Sequence, residues 1–331
     1  MKAIVHKEKA GLQGLALQEM EEPKVSAQQV KIKMKTGGMN RRDLIVTQKH
    51  GTELPPLIMG SDGAGIIEEV GEDVNGLSVG DEVVINPGLG WKENSDAPPE
   101  GFEIMCNPDH GTFAEYVVIS AENVEKKPKH LSWNEAGVLS LAALTGYRAL
   151  FTRGQLKKGD TVMLPGIGSG VLTFVMLFAK AVGARVIVTS RSEEKRQKAL
   201  ELGADVVIPT QSDWNQELKN EKVDLLIETI GRATMNKSLH IIRRGGTIVT
   251  FGATTEDEIE MDIRQFFYGQ FNLLGSTMGS HEEYKEMLGF IETHNIKPVV
   301  DRVFKLSEYD EAFPYLRDSK NFGKIAIEIV E

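Results

Sequence analysis

Thr161-Val-Met-Leu164-Pro-Gly166-Ile-Gly168-Ser169-Gly170-Val171 is the stretch on which the fold turns, and an apolar run from Leu172 to Val182 follows it without a break. It reads as a short strand, a glycine-rich turn and a packed helix. A glycine-rich hexapeptide alone is weak evidence, since turns anywhere collect glycines. Its setting adds the weight. A strand runs in and a long helix runs out, which lets a tight turn present a helix N-terminus to a dinucleotide pyrophosphate. Gly166, Gly168, Ser169, Gly170 and Val171 are therefore candidate cofactor contacts. The third glycine of the usual pattern is missing, because Val171 holds its place and Gly170 comes one residue early. The alternative is a turn that binds nothing.

Working outward, the next run is Arg185 to Thr189, rich in β-branched residues and closing on Ser190-Arg191-Ser192. An NAD site usually carries an acid at this point to accept from the adenosine ribose. Here hydroxyls and a guanidinium stand instead, with Lys195 one helical turn on. A 2′-phosphate suits Arg and Lys donors, so Ser190, Arg191 and Lys195 point to NADPH. The competing reading makes Arg191 a solvated loop residue and Ser190 or Ser192 a helix cap, and the two are compatible. Glu193 to Leu202 is helical and ends at Gly203. Apolar runs follow at Asp205 to Ile208, Val223 to Glu228, Thr247 to Phe251 and Phe271 to Leu274. Alternation of strand and helix from about Leu131 to Met278 predicts a parallel sheet with helices on both faces, an α/β doubly wound fold.

The flanks have another texture. Up to about residue 125, short β runs (Lys2 to His6, Val30 to Met34, Gly65 to Val70, Glu82 to Ile85, Phe113 to Ile119) are separated by Gly, Pro and Asn turns, which predicts a compact all-β domain. Residues 91–110 read as a long loop. After Ser280 come a helix rich in Glu and Lys and two apolar runs, Val299 to Phe304 and Ile325 to Val330, whose return to the first domain would make it discontinuous.

The 331 residues suit two domains, and a net charge of −10 disfavours long duplex nucleic acid as a partner. One cysteine, Cys106, excludes an internal disulfide and any multi-cysteine site. The N-terminus carries no apolar signal segment and no run reads as a membrane span, so a cytoplasmic location is expected.

Several further pieces carry a resemblance. Gly60-Ser61-Asp62-Gly-Ala-Gly65-Ile-Ile-Glu-Glu-Val70-Gly71, then Val74, Gly80-Asp81-Glu-Val83, Gly111-Thr-Phe113-Ala-Glu115-Tyr116 and Leu144-Thr145-Gly146-Tyr147 stand in order beside the glycine-rich turn. The chain resembles the medium-chain dehydrogenases/reductases, close to the quinone oxidoreductase and zinc-free alcohol-dehydrogenase-like branches, over essentially its whole length. The resemblance implies a GroES-like β-domain from residues 1–130 and 280–331 and a Rossmann domain from 131–279, with substrate in the cleft between them. It also implies cofactor contacts from Thr145, Gly231, Phe251-Gly252-Ala253, Asn321 and Lys324, and a homodimer.

The departures from the family pattern decide the expected chemistry. Where zinc-dependent members have their metal ligands, this chain has Asn40, Ser61 with Asp62, and about Leu141. An amide and an aliphatic side chain are not zinc ligands of the usual kind, so no metal is expected. Without zinc, hydride delivery to an already electrophilic quinone or α,β-unsaturated carbonyl is the easier reaction. By resemblance Asn40, Ser61 and Asp43 line the reacting end, Asn40 as orienter and oxyanion donor; the plainer reading has Asn40 in a turn and Asp43 capping a helix. His50 and His110 read as loop residues and lesser proton-donor candidates. Cys106 has nothing cationic beside it in sequence and reads as incidental. Two alternatives stand: a zinc-free alcohol or aldehyde dehydrogenase, and an NADPH-binding protein with little or no catalysis.

Overall fold

Six strands hydrogen-bond in parallel, in the spatial order Val206–Pro209, Arg185–Ser190, Thr161–Leu164, Val223–Glu228, Ile242–Thr250, Asn272–Gly275. Numbered along the chain this is order 3-2-1-4-5-6, the Rossmann arrangement, with its reversal between the Thr161 and Val223 strands. The structure is a computed structural model and describes residues 1–329. Consecutive residues Val162, Met163 and Leu164 are all fully buried, as are Val186, Ile187 and Val188. Side chains alternate faces along a strand, so burial without alternation requires cover on both faces. The helices Gly170–Ala181, Glu193–Glu201 and Arg232–Ile241 supply cover for this sheet.

The sheet belongs to one of two units, Thr145–Met278; the other is Met1–Leu144 together with the chain from Gly279 onward. The division falls at Leu144, not at residue 130 as expected. The reason lies in the helix Trp133–Gly137, which packs against the strand Gln29–Met39 so tightly that a Cβ on Gly137 would sit 2.7 Å from Thr36 Cβ. That contact ties the segment to the first unit.

In the first unit the largest sheet runs Val124–Lys126, Glu82–Ile85, Asp62–Val70, Gln29–Met39, Lys324–Glu328, Val300–Lys305, and Tyr116–Ser120 also pairs with Gln29–Met39. The strand Lys324–Glu328 lies antiparallel to Gln29–Met39, from Ile325 opposite Met39 to Glu328 opposite Thr36. Val330, at the end of the run expected there, lies outside the described residues. A smaller sheet joins Leu15–Glu19, Lys2–His6 and Leu57–Ile58. Ile32, Met34, Ile67, Phe113, Phe313, Ile325 and Ile327 share one core.

The turn that the plainer reading gave Asn40, after Gly37-Gly38, is absent. The strand continues through both glycines to Met39, and Asn40 starts the helix Arg41–Lys49. A Cβ on Gly38 would stand 2.7 Å from Gly137 O, so the glycine is there for close approach and not for a turn.

Candidate functional site

In the Thr145–Met278 unit the glycine-rich turn is built as its sequence suggests. Gly166 and Gly168 have φ of 81° and 131°, a backbone conformation that favours glycine. The Gly166 and Ile167 N–H groups donate to Thr189 O at 3.0 and 2.7 Å, fastening the turn to the neighbouring strand. Ser169 caps the helix Gly170–Ala181, its hydroxyl accepting from the Leu172 N–H. Room for Val171 comes from elsewhere: a Cβ on Gly146 would lie 3.0 Å from Val175 Cγ2 and 3.6 Å from Val171 Cγ1. The glycine absent from the turn is thus matched by one on the facing helix.

Cationic side chains gather beside this turn. Lys195 reaches back over it, so that a Cβ on Gly168 would lie 2.9 Å from its Cδ and 3.3 Å from its Nζ. Ser192 caps the helix Glu193–Glu201 by accepting from the Lys195 N–H, and its own N–H donates to the buried Ser190 hydroxyl. Arg191 is exposed. Arg196, which the sequence reading passed over, donates to Ser190 O at 2.8 Å. Its place one turn into the helix was the available signal.

At the ends of the next strands, Glu228 is fully buried and accepts from Ile230 N–H, Gly231 N–H, Thr234 Oγ1 and Ser238 Oγ at 2.8, 3.3, 2.9 and 2.7 Å. It fixes the loop that carries Gly231, whose φ is 94°. Glu228 was read only as the end of an apolar strand, because nothing in the sequence announces its four donors. Gly252 and Ala253 are exposed and Phe251 half-buried just past the strand Ile242–Thr250. The Thr145 hydroxyl faces Met278 Sδ.

The first unit holds a different cluster. The Lys324 ammonium, 2% exposed, donates to Met39 O at 2.8 Å, Asn40 Oδ1 at 2.6 Å and Asp62 Oδ2 at 3.1 Å. Asp62 is itself fully buried; it also accepts from Asn40 Nδ2 at 3.0 Å and, through Oδ1, from the Leu141 N–H at 2.7 Å. A buried ion pair survives only when its remaining hydrogen-bonding capacity is met, and here it is. These contacts join Lys324, expected among the cofactor contacts, to Asn40 and Asp62. Asn321 donates to Gly323 O just before it.

The three residues expected at the reacting end are held by structural duties. The Asn40 amide hydrogens go to Asp62 and, at 3.3 Å, to Gly38 O, so neither is free for an oxyanion. The Ser61 hydroxyl, fully buried, donates to Met105 O at 2.9 Å and accepts from Arg42 at 3.3 Å. Asp43 Oδ2 accepts from the Asn40 N–H at 2.7 Å, closing the start of the helix as the plainer reading had it. Burial pushes the Asp43 carboxyl up to about 7, and its Oδ1 has no hydrogen-bond partner among the described residues. Arg42 clamps the loop expected between residues 91 and 110, through Ile104 O, Met105 O and Cys106 O at 2.9, 3.0 and 2.9 Å.

The two histidines differ: His110 is an exposed loop residue, as its sequence suggests, whereas His50 is buried. His50 ends the helix Arg41–Lys49, and its Nδ1 lies 2.9 Å from Nδ1 of the fully buried His6. His110 Nδ1 accepts from the Ile58 N–H at 3.2 Å, and desolvation lowers its pKa. Cys106 is buried, which pushes its thiol up to about 12. Among the described residues no three His, Cys, Asp or Glu side chains converge as a metal site, and no helix is long and apolar enough to cross a membrane.

Comparison with known proteins agrees with this architecture. Residues 26–129 match the alcohol dehydrogenase GroES-like domain model, and residues 170–293 match the zinc-binding dehydrogenase model. The chain is 34% identical to a zinc-type alcohol dehydrogenase-like protein of Schizosaccharomyces pombe, over 99% of each chain. It is 29% identical to an acryloyl-coenzyme A reductase of Sulfurisphaera tokodaii, covering 96% of this chain and 97% of that one. The solved structure of an NAD-dependent alcohol dehydrogenase superposes with a TM-score of 0.93 at 32% identity, covering 100% of both chains. The chain belongs to the medium-chain dehydrogenase/reductase superfamily and is an oxidoreductase of that type.

Proposed function

We propose that this protein transfers hydride from NADPH to an α,β-unsaturated carbonyl or a quinone, without a metal. The observation that carries the reading is the Lys324 ammonium held among Met39 O, Asn40 Oδ1 and Asp62 Oδ2. Zinc takes thiolate, imidazole or carboxylate ligands. At the positions where the resemblance implies ligands, this chain offers an amide bound to a lysine, a serine turned to Met105 O, a carboxylate, Asp62, already paired with the Lys324 ammonium, and a backbone N–H given to that same carboxylate. That donor set does not fit zinc, although the matching family model is described as zinc-binding.

Lacking a Lewis acid, the enzyme gains most from a substrate activated in advance. Hydride adds to the β-carbon of an enone, the carbonyl oxygen takes up the electron pair, and a solvent proton completes the saturated product. An acryloyl thioester, named for the Sulfurisphaera relative, is of this class. The choice of NADPH rests on Arg191, Lys195 and Arg196 around Ser190, where a phosphate would find donors and no carboxylate is part of the Ser190–Ser192 stretch.

The test is NADPH oxidation by chelator-treated protein with enones, enoyl thioesters and quinones, against aldehydes and simple ketones, with NADH alongside. Turnover of the first group with NADPH, indifferent to chelation, is expected. Turnover of aldehydes or ketones alone would make it a zinc-free carbonyl reductase or alcohol dehydrogenase; the 32%-identical structure is that of an NAD-dependent alcohol dehydrogenase. Tight NADPH binding with no turnover anywhere would favour a binding protein.

A further inference from the structure

We infer that the first unit carries a separate small-molecule site, in the cavity that Asn123 and Glu125 line, and that its ligand class is a zwitterionic amino acid. The cavity measures about 430 Å³ and lies wholly within that unit, between the turn at Asn75, the segments around Gly88 and Asn123, and the start of the helix His281–Thr293. None of the candidate residues described above lines it. Its size suits a small ligand. What selects the ligand is where hydrogen-bonding capacity is left unused.

The inner wall offers acceptors. Asn123, 6% exposed, gives both amide hydrogens to backbone carbonyls, Asn86 O at 3.1 Å and Gly88 O at 2.8 Å. Its Oδ1 accepts from no described residue and is not sealed from solvent, so a side chain more than nine-tenths buried keeps an open acceptor. Glu125 Oε1 takes His281 Nε2 at 2.9 Å and Lys285 Nζ at 3.4 Å, which leaves Oε2 to accept from a ligand. Burial raises the Glu125 pKa, but these two contacts outweigh it and hold the carboxyl below its ordinary value. His281 adds no free group, because its Nδ1 meets the Asn86 amide at 3.2 Å, and the Asn86 Oδ1 is held by the Gly88 N–H.

The rim offers the opposite. Lys92 and Lys285 are 72% and 59% exposed, and each ammonium meets one carboxylate, Glu122 at 2.7 Å and Glu125 at 3.4 Å. An ammonium has three hydrogens, so both lysines can still donate. Acceptors thus lie inside and donors outside, and the two glutamates cancel the two lysines. A diamine would set its second ammonium against the lysines, and a dicarboxylate would set its second anion against Glu125. A ligand with an ammonium at one end and a carboxylate at the other satisfies both: the ammonium at Asn123 Oδ1 and Glu125 Oε2, the carboxylate at Lys92 and Lys285.

The experiment compares γ-aminobutyrate, putrescine and succinate, chains of equal length that differ in their charged ends, with glycine and ε-aminocaproate added to vary the length. Titration calorimetry on the full chain is expected to give one site for at least one of the zwitterions, with a Kd of about one millimolar or tighter. Putrescine and succinate are expected to give only heats of dilution. Failure of every zwitterion overturns the inference, and so does binding of putrescine or succinate as tight as theirs. Lys285→Ala and Glu125→Gln are each expected to weaken the zwitterion by about fivefold or more, and Lys157→Ala, in the other unit, to leave it unchanged. Lys285→Ala keeps the Glu125–His281 contact, so its effect on affinity is not one on folding. Unmoved affinity in both site variants puts the ligand elsewhere and overturns the assignment. None of these readings involves NADPH or turnover, so this site and the hydride-transfer reading fail separately.

Discussion

Asn40 is the side chain for which the resemblance and the geometry suggest different tasks. Its position in the sequence, after two glycines and three residues before Asp43, marked it for attention; only the geometry reveals that both its amide ends are engaged. If Asn40 were the oxyanion donor, Asn40→Ala would cost about 10²–10³ in kcat. We expect instead a loss below about tenfold, together with destabilisation of ~1–3 kcal/mol from the unmet partners it leaves behind. Steady-state kinetics and urea unfolding on the same preparation separate the two. Asp43 offers a second prediction. Its folded pKa of about 7 lies above the ordinary carboxylate value of 3.8, so folding takes up a proton. Stability from this group is therefore greatest at low pH and declines across that interval by up to about 1.4 kcal/mol per pH unit. Asp43→Asn keeps an acceptor for the Asn40 N–H and removes the titration. Its stability relative to wild type should rise from pH 5 to pH 8, and a constant difference would contradict the raised pKa of this buried carboxyl.

At the scale of elements, the strands that line a two-sided core were easiest to read. Val223–Glu228 and Thr161–Leu164 fall where expected because uninterrupted apolar runs between turn residues admit few other readings. The helix Arg41–Lys49 was legible only through the capping reading of Asp43, since its residues RRDLIVTQK show little apolar periodicity and its anchoring comes from Asp43 and Arg42. His50 at its end is a case where local sequence misleads: flanked by Lys49 and Gly51 it reads as solvated, yet the smaller sheet brings His6 to it. This pair carries a pH prediction. Desolvation first, and then the charge of His50, lower the His6 pKa below 6.5. The folded state thus binds fewer protons than the unfolded one, so stability is complete above the unfolded value and falls as pH drops through 6.5 toward the folded value. Thermal midpoints at about pH 7.5 and 5.5 should differ more for wild type than for His50→Gln, where the mutual repulsion cannot develop. Equal differences would show that the pair does not titrate as described.

For the molecule as a whole, the doubly wound parallel sheet and the return of the C-terminal segment followed from pattern and resemblance. The boundary at Leu144 and the Lys324 cluster did not, because both depend on contacts between residues hundreds of positions apart or on the absence of a Cβ. Assembly is one more prediction. The strand Asn272–Gly275 ends the parallel sheet with one side unpaired by any described strand, and Ile263, Phe267 and Tyr268 on the preceding helix are exposed. Such an edge favours pairing with a second copy. Sedimentation should give a dimer, and Leu273→Pro should shift it to monomer; a wild-type monomer at micromolar concentration would reject the proposal.

The return of Lys324 to Asp62 also sets a schedule. On the ribosome, residues 40 and 62 emerge long before residue 324, while the whole Thr145–Met278 sheet lies between them. The nucleotide-binding half has all its strands in hand first; the β-rich half has to wait, its Asp62 still hydrated, for the last strand to arrive and bring the countercharge. Vectorial synthesis thus makes the lysine a closing signal: the early half of the chain can be sealed only after the later half has been made.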